Sequence, residues 1–565
     1  MQLLAVVLLF LVTQVTAFTN PILPGFNPDP TILRVGSDYF LATSTFEFFP
    51  GVPIYHSTDL ISWTVISHAL NCPSQLDLRG TAPSGGVFAP TLRYHEDTET
   101  FYLITTVFNM INPPDNITYS PRSLYVSTKD PWDDSAWSDP IYVDQAGFDP
   151  DLFFDSSTGK TYLTTTQGSG AFGYPNSGYF ALWTTEIDLA TGDSLTPSRF
   201  LHQSPLPDGT PKLTEGAHIF FYNGYYHLIT ADAGTDVQHR VMHYRSPVFP
   251  PTPQPPTPKV PEEDGWEANP HNPIIFNGAN LSLPVLSTGH ADFVSTPDGK
   301  WFTVFLGTRQ QNPTNATGKN QLGRETFLAG ARWDEDGWLI VNDGKPIEEQ
   351  MPGLYELDRP TIWRDGFEGN FTDKEYYTQR TPYKAFHRFV EGGGLRLKGN
   401  IYTLSDRETP AAFFRKQVDL SAIWSSKLRF TPTSHLHKAG LTVFLSTWYH
   451  NEIGITIRPD TNATVLYTET RTGPLAALNT TYHNLPSEDG MTLGIEALPE
   501  GYKLGFSTEE GKWTWLTSVG NQWLQAHVEG WQNFVGAHFG LFSTGTGLPM
   551  PGVDANFEYV QVERS

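Results

Sequence analysis

Along almost the whole chain, short runs rich in Tyr, Phe, Trp, Thr and Val are broken by clusters of Gly, Pro, Asn and Asp. These runs are the length and composition of β-strands, and the spacing of three or four that marks an amphipathic helix is scarce. The pattern predicts an all-β protein. A turn followed by an aromatic strand comes round five times: GSDYFLATS from Gly36, DTETFYLITT from Asp97, STGKTYLTTT from Ser157, NGYYHLITA from Asn223 and PDGKWFTVFLG from Pro297. Before each turn lies a second strand. Aligned, these begin at Asp29 (DPTIL), Ala89 (APTLR), Asp149 (DPDLF), Glu215 (EGAHI) and His290 (HADFV). Successive copies lie about 60 to 75 residues apart, room for one antiparallel four-stranded sheet, and five such sheets set radially form a five-bladed β-propeller over residues 18–360.

Beyond Pro360 the repeat stops and a new strand series begins, including LRLKG, GLTVFLSTWYH, NEIGITIRP, YKLGFSTE and ANFEYVQVE. Residues 361–565 therefore read as a C-terminal β-sandwich. Between the fourth and fifth copies, Pro247 to Pro261 is too Pro-rich for central strands and reads as an exposed polyproline excursion.

Residues 1–17, MQLLAVVLLFLVTQVTA, form an apolar run ending in small residues, the pattern of a cleaved secretory signal, and too short for the roughly 20 residues of a membrane span. Six Asn-x-Ser/Thr sequons, at Asn116, Asn280, Asn315, Asn370, Asn462 and Asn479, fit a secreted, extracellular glycoprotein. Cys72 is the single cysteine, which excludes an intramolecular disulfide and a cysteine metal cluster. With 36 Lys and Arg against 60 Asp and Glu the formal charge is −24, a balance that repels nucleic acid and anionic membrane.

In a propeller the innermost strands face the axis, so equivalent repeat positions converge on one end of the channel. The converging set is Asp29, Ala89, Asp149, Glu215 and His290. Asp-Pro and Glu-Gly also start tight turns. Three acids at one repeat position nevertheless raise each other's pKa, at a cost that points to function. Two carboxylates flanking a glycosidic bond, one protonated to donate and one ionised, hydrolyse it, and a third beside the donor raises the donor's pKa. An oxygen-rich calcium site is the competing chemistry. The 15 Trp, 24 Tyr and 37 Phe supply flat faces for sugar rings as well as core.

The stretches NPILPGFNPDPTILRVGSDYFLATSTFEFFPGVPIYHSTDLISW, GVFAPTLRYH, FDPDLFFD, TEGAHIF, GHADFVSTPDGKW and LGRETFLA follow one another through the whole propeller. On these the sequence resembles glycoside hydrolase family 43, in particular its secreted β-xylosidases and α-L-arabinofuranosidases. The resemblance implies a five-bladed propeller with a C-terminal β-sandwich and hydrolysis with inversion. It implies Asp29 as the general base, Glu215 as the general acid and Asp149 as the residue that tunes and orients the acid. Arg324 in LGRETF would hydrogen-bond the terminal sugar, Phe46 and Phe88 would wall the pocket, and His290 would lie at its floor, where some members show a calcium ion or a water. No cofactor is required by this reading. Inversion asks for acid and base carboxyls roughly 6.5 to 9.5 Å apart. Phe88 stands where members often carry Trp, and the sandwich opens with WRDGFEGNF in place of an Asp-Asp-Phe sequence. The segment from Ala537 to Gly547 is the expected counterpart of a sandwich loop that closes the pocket. The expected function is release of D-xylose from the non-reducing ends of xylo-oligosaccharides and xylan. The alternative within the class is an α-L-arabinofuranosidase on arabinoxylan or arabinan; from a different class, it is a non-catalytic carbohydrate-binding propeller.

Overall fold

The computed structural model describes residues 17–109, 121–168, 179–251, 264–311 and 321–564, the last range apart from 356, 358, 372–373, 487–489, 510, 525–526, 529–530 and 546–551. Residues 1–16 of the expected signal sequence, the sequons at Asn116 and Asn315, and the expected polyproline excursion from residue 252 onward lie outside the described residues.

Five antiparallel four-stranded sheets follow one another in chain order, each pairing its strands consecutively. Their innermost strands are Thr31–Val35, Gly86–His95, Phe148–Asp155, Thr214–Tyr222 and Val285–Ser295, so these sheets are blades one to five. Apolar residues on both faces of each sheet pack against the neighbouring blades. Phe40, Leu92, Leu103 and Val126 join blades one and two, whereas Leu182, Ile219 and Leu228 join three and four. Ile32, Leu41, Val304 and Phe327 join one and five. Each such side chain, fully buried, contributes roughly 1.5 to 3 kcal/mol relative to exposure.

The ring is closed by the N-terminal segment. Ala17–Thr19 pairs antiparallel with Gln350–Pro352, Leu23 bridges to Thr326, and the Asn20 amide exchanges hydrogen bonds with the Leu328 backbone. At the axis, Arg93 of blade two ties the blades together. Its guanidinium donates to Asp151 at 2.7 Å, to Asp292 at 3.0 Å and to His218 Nδ1 at 2.9 Å, while Thr31 donates to Asp292 at 2.8 Å. Four blades besides its own, or their direct partners, thus meet at one buried cation.

The C-terminal part is a sandwich of an eight-stranded and a six-stranded sheet, both antiparallel where they pair in regular strands. Its core is not self-contained. Phe26, Phe46 and Phe48 of the propeller belong to the same apolar cluster as Phe414, Trp424, Phe444 and Phe539 of the sandwich. A short strand pairing, Phe48–Phe49 with Thr378–Gln379, and the buried Arg380, which donates to the Thr81 carbonyl at 2.8 Å, fasten the two parts.

Candidate active site

Every innermost strand turns sharply where it reaches the mouth of the channel. Asp29, Ala89, Asp149, Gly216 and His290 have φ of 55°, 29°, 49°, 58° and 51°. In blades two to five this left-handed residue sits in a register shift, at Phe88/Thr91, Phe148/Asp151, Glu215/His218 and Gly289/Asp292. Such bulges re-aim side chains, here toward the axis.

The structure corrects the repeat alignment in blade four. The residue equivalent to Asp29, Asp149 and His290 is Gly216, and Glu215 is equivalent to Phe88 and Phe148. The reason is steric. A Cβ at Gly216 would lie 2.8 Å from the Ala231 Cβ and 3.0 Å from His290 Nδ1, so only glycine fits that kink, and the acid occupies the preceding position.

Asp29, Asp149 and Glu215 come together at this mouth with Arg324 and His290. Asp29 accepts from Ser44 Oγ at 2.6 Å and from Arg324 Nη1 at 2.9 Å, and His290 Nδ1 lies 3.8 Å away. Ser44 in turn accepts the Ala89 N–H at 2.7 Å. Arg324 also reaches Thr235 Oγ1 at 3.3 Å, while its Nε is buried with no partner among the described residues. Asp149 accepts the Gly216 N–H, yet burial and the neighbouring Asp29 push its carboxyl up to about 8. Burial raises Glu215 well above the usual carboxylate range, reinforced by Asp149, Asp232 and Asp29 and opposed by Arg324.

Burial also holds His290 down at about 4 and His239 at about 3, so both imidazoles are neutral at physiological pH. His239 donates from Nδ1 to the Gly234 carbonyl at 2.7 Å and leaves Nε2 buried without a partner among the described residues. Among those residues no three His, Cys, Asp or Glu side chains are arranged to hold a metal ion.

The apolar wall has three phenylalanines. Phe46, fully buried, and the half-buried Phe88 lie 4.6 Å apart between ring centres, and Phe534 stacks on Phe46 at 5.7 Å. Arg324 lies 5.6 Å from the Phe46 ring centre and 5.4 Å from that of Phe534, a cation–π geometry. The sandwich therefore reaches the pocket through Phe534. In the expected 537–547 segment, the strand His538–Thr544 is buried, with His538 stacked on Phe48 of the propeller at 4.0 Å and Phe539 against Trp424 of the sandwich; residues 546 and 547 lie outside the described residues. Phe534 is placed by its own backbone, with its N–H on Ser84 Oγ at 3.0 Å and its carbonyl 3.5 Å from Arg324 Nη2. Ser84 donates its N–H to Glu47, which burial raises to about 7 against the pull of Arg380.

Several residues of the site escape sequence reasoning. Asp232, buried and raised in pKa by burial, stands on the second strand of blade four, outside the aligned first strands. Asp151 and Asp292 were within reach, since each follows two residues after an aligned position.

The comparisons with known proteins agree along the chain. The family described as Glycosyl hydrolases family 43 matches residues 18–339, and the Beta xylosidase C-terminal Concanavalin A-like domain matches residues 364–563. A non-reducing end α-L-arabinofuranosidase of Bacteroides ovatus is 32% identical over 540 residues, covering 94% of this chain and 92% of that protein. A xylosidase/arabinosidase of Butyrivibrio fibrisolvens is 35% identical over 455 residues, 78% of this chain and 80% of its own. The crystal structure of a xylan β-1,4-xylosidase from Bacillus halodurans superposes with a TM-score of 0.83 at 28% identity, covering 97% of this chain and all of that one. With the propeller, the sandwich and the family match in one continuous chain, this protein belongs to glycosyl hydrolase family 43.

Proposed function

We propose that this glycoside hydrolase releases one pentose at a time from the non-reducing end of its substrate, D-xylose from β-1,4-linked xylo-oligosaccharides and xylan, by a single displacement with inversion. The observation that carries the reading is the unequal treatment of the acids in one pocket. Asp29 is held by two hydrogen-bond donors, Ser44 and Arg324, whereas Glu215 is crowded by burial and by three other carboxylates that keep its proton on. Asp29 takes a proton from water as that water attacks the anomeric carbon. Glu215 gives its proton to the leaving oxygen as the glycosidic bond breaks, and exchange with solvent restores both. Asp149, fixed by the Gly216 N–H, tunes and orients the acid. No cofactor takes part. The wall of Phe46, Phe88 and Phe534 suits a single sugar ring, with Arg324 toward its hydroxyls and His290 at the floor.

The same pocket suits a terminal α-L-arabinofuranose on arabinoxylan or arabinan, the class of activity named for the Bacteroides ovatus relative. Proton NMR of the first minutes of xylobiose hydrolysis tests the reading. Early α-xylose is expected. Early β-xylose would overturn the inverting mechanism, and arabinose from arabinoxylan with xylobiose untouched would establish the second substrate.

Asp149→Asn removes one of the neighbours that raise Glu215, so the acid ionises at lower pH and the alkaline limb of kcat/KM moves down. An unmoved limb in the pH profile would leave Asp149 with a structural role alone.

We also infer export and N-glycosylation. The support is the leader-like run at residues 1–17 together with the exposure of all four described sequon asparagines, Asn280, Asn370, Asn462 and Asn479.

A further inference from the structure

Where the propeller meets the sandwich, on a side that shares no lining residue with the acid cluster, lies a cavity of about 400 Å³. Tyr55, Trp63, Trp363 and Trp424 contribute aromatic surface to it, and its charged lining consists of Arg359, Arg415, Lys416 and Arg564 against Glu375 and Asp419. Two of the cations are matched: Arg415 to Glu375 at 3.0 Å and Arg564 to Asp419 at 2.8 Å. The other two form no ion pair among the described residues, although Asp419 faces Arg359 and Glu375 faces Lys416 at longer range. Lys416, buried, donates only to neutral oxygens, Asn27 Oδ1 at 2.6 Å and the Tyr55 hydroxyl at 3.2 Å. Arg359, half-buried, has no hydrogen bond or ion pair among the described residues.

A local excess of positive charge is notable in a chain whose formal charge is −24. Burial brings the Lys416 ammonium down to about 7, with Glu375 opposing that fall and Arg415 adding to it. With Glu375 paired to Arg415, Lys416 is a buried charge that has no ion pair of its own among the described residues, an arrangement that is strongly disfavoured. The Trp424 indole N–H adds a second unmet demand: it is buried in the lining residue and has no acceptor among the described residues.

We propose that this cavity is a second carbohydrate site, one that takes a uronic acid. A carboxylate supplies the missing acceptor for Lys416 and Arg359, and charge-assisted hydrogen bonds of that kind are the strong ones. A simple anion would leave most of the volume unfilled. A pyranose ring carrying the carboxylate fills a mostly apolar cavity of this size and sets its faces against the tryptophans. The acid is either a free hexuronate or a uronic-acid branch on a xylan-type oligosaccharide, and both present the same group.

The test is calorimetric titration of the full chain with D-glucuronate and, separately, with a xylo-oligosaccharide bearing one glucuronic-acid branch. Saturable binding of at least one is expected, undisturbed by excess D-xylose, which lacks the carboxylate. Tighter binding of the branched oligosaccharide identifies the polymer as the source, and equal or tighter binding of glucuronate identifies the free acid. Arg359→Gln should weaken binding about tenfold or more, and Lys416→Met, which keeps the apolar stem, should do the same. Arg359 makes no hydrogen bond or ion pair among the described residues, and a thermal midpoint close to the parent's shows that the Arg359→Gln chain is folded. Arg324→Ala at the acid cluster should leave the affinity for glucuronate unchanged. The proposal fails if neither ligand saturates, if acetate displaces glucuronate at equal concentration, or if Arg324→Ala abolishes binding that Arg359→Gln preserves.

Discussion

Glu215→Gln lowers the rate on xylobiose by about 10² to 10⁴, the contribution of a positioned general acid. In barrier terms that is roughly 3 to 5.5 kcal/mol. The loss is smaller on 4-nitrophenyl β-D-xyloside, because a nitrophenolate leaves without being protonated, and the difference between the two substrates separates loss of the proton from loss of the fold. The amide keeps the shape of the acid and removes a group that burial and three carboxylates disfavour when ionised, so the thermal midpoint is expected to hold or rise. Equal losses on both substrates would remove Glu215 from the acid role.

Arg93→Met destabilises the protein by about 3 to 5 kcal/mol, the usual result of removing one partner from a buried ion pair. Asp151 and Asp292, both buried, lose their shared counter-charge at the axis. Urea unfolding measures the effect, and its pH dependence identifies the cause. Burial alone would raise Asp292, but Arg93, His218, the Ile32 N–H and Thr31 hold it at about 2, below its unfolded value. A depressed acid stabilises the fold above the unfolded pKa, and that contribution is lost as pH falls from about 4 to about 2. In Arg93→Met this acid-side loss should flatten. A variant as stable as the parent, with the same acid limb, would mean that the blades hold their register without the hub.

The blades were legible because each announces itself twice, by a turn and by the strand before it. Asp29 and Asp149 stand in the same Asp-Pro context, so alignment found them directly. Glu215 was found with its register off by one, since sequence gives no sign that Gly216 must take the kink beside His290. Phe534 was not legible at all: it reaches the pocket from 210 residues beyond Arg324. The segment after it alternates in the manner of any strand, and only the packing shows that Phe539 faces the sandwich core, 5.6 Å from Trp424 between ring centres, while His538 faces Phe48 of the propeller. Arg93 was hidden for a related reason. One arginine in an otherwise ordinary strand gains its role from acids on blades three and five.

The strap that closes the ring sets the order in which the protein becomes competent. Blade-sized hairpins pair residues close in sequence and can form as they are made, but Phe18 waits for Met351 and Leu23 for Thr326. Contacts of such long separation form late and slowly. Asp29 follows directly from that strap, and its partner Arg324 lies on blade five. The Asp29–Arg324 contact is thus assembled across the last seam to seal, and hydrolytic activity during refolding should appear with ring closure and lag behind the gain of β-structure.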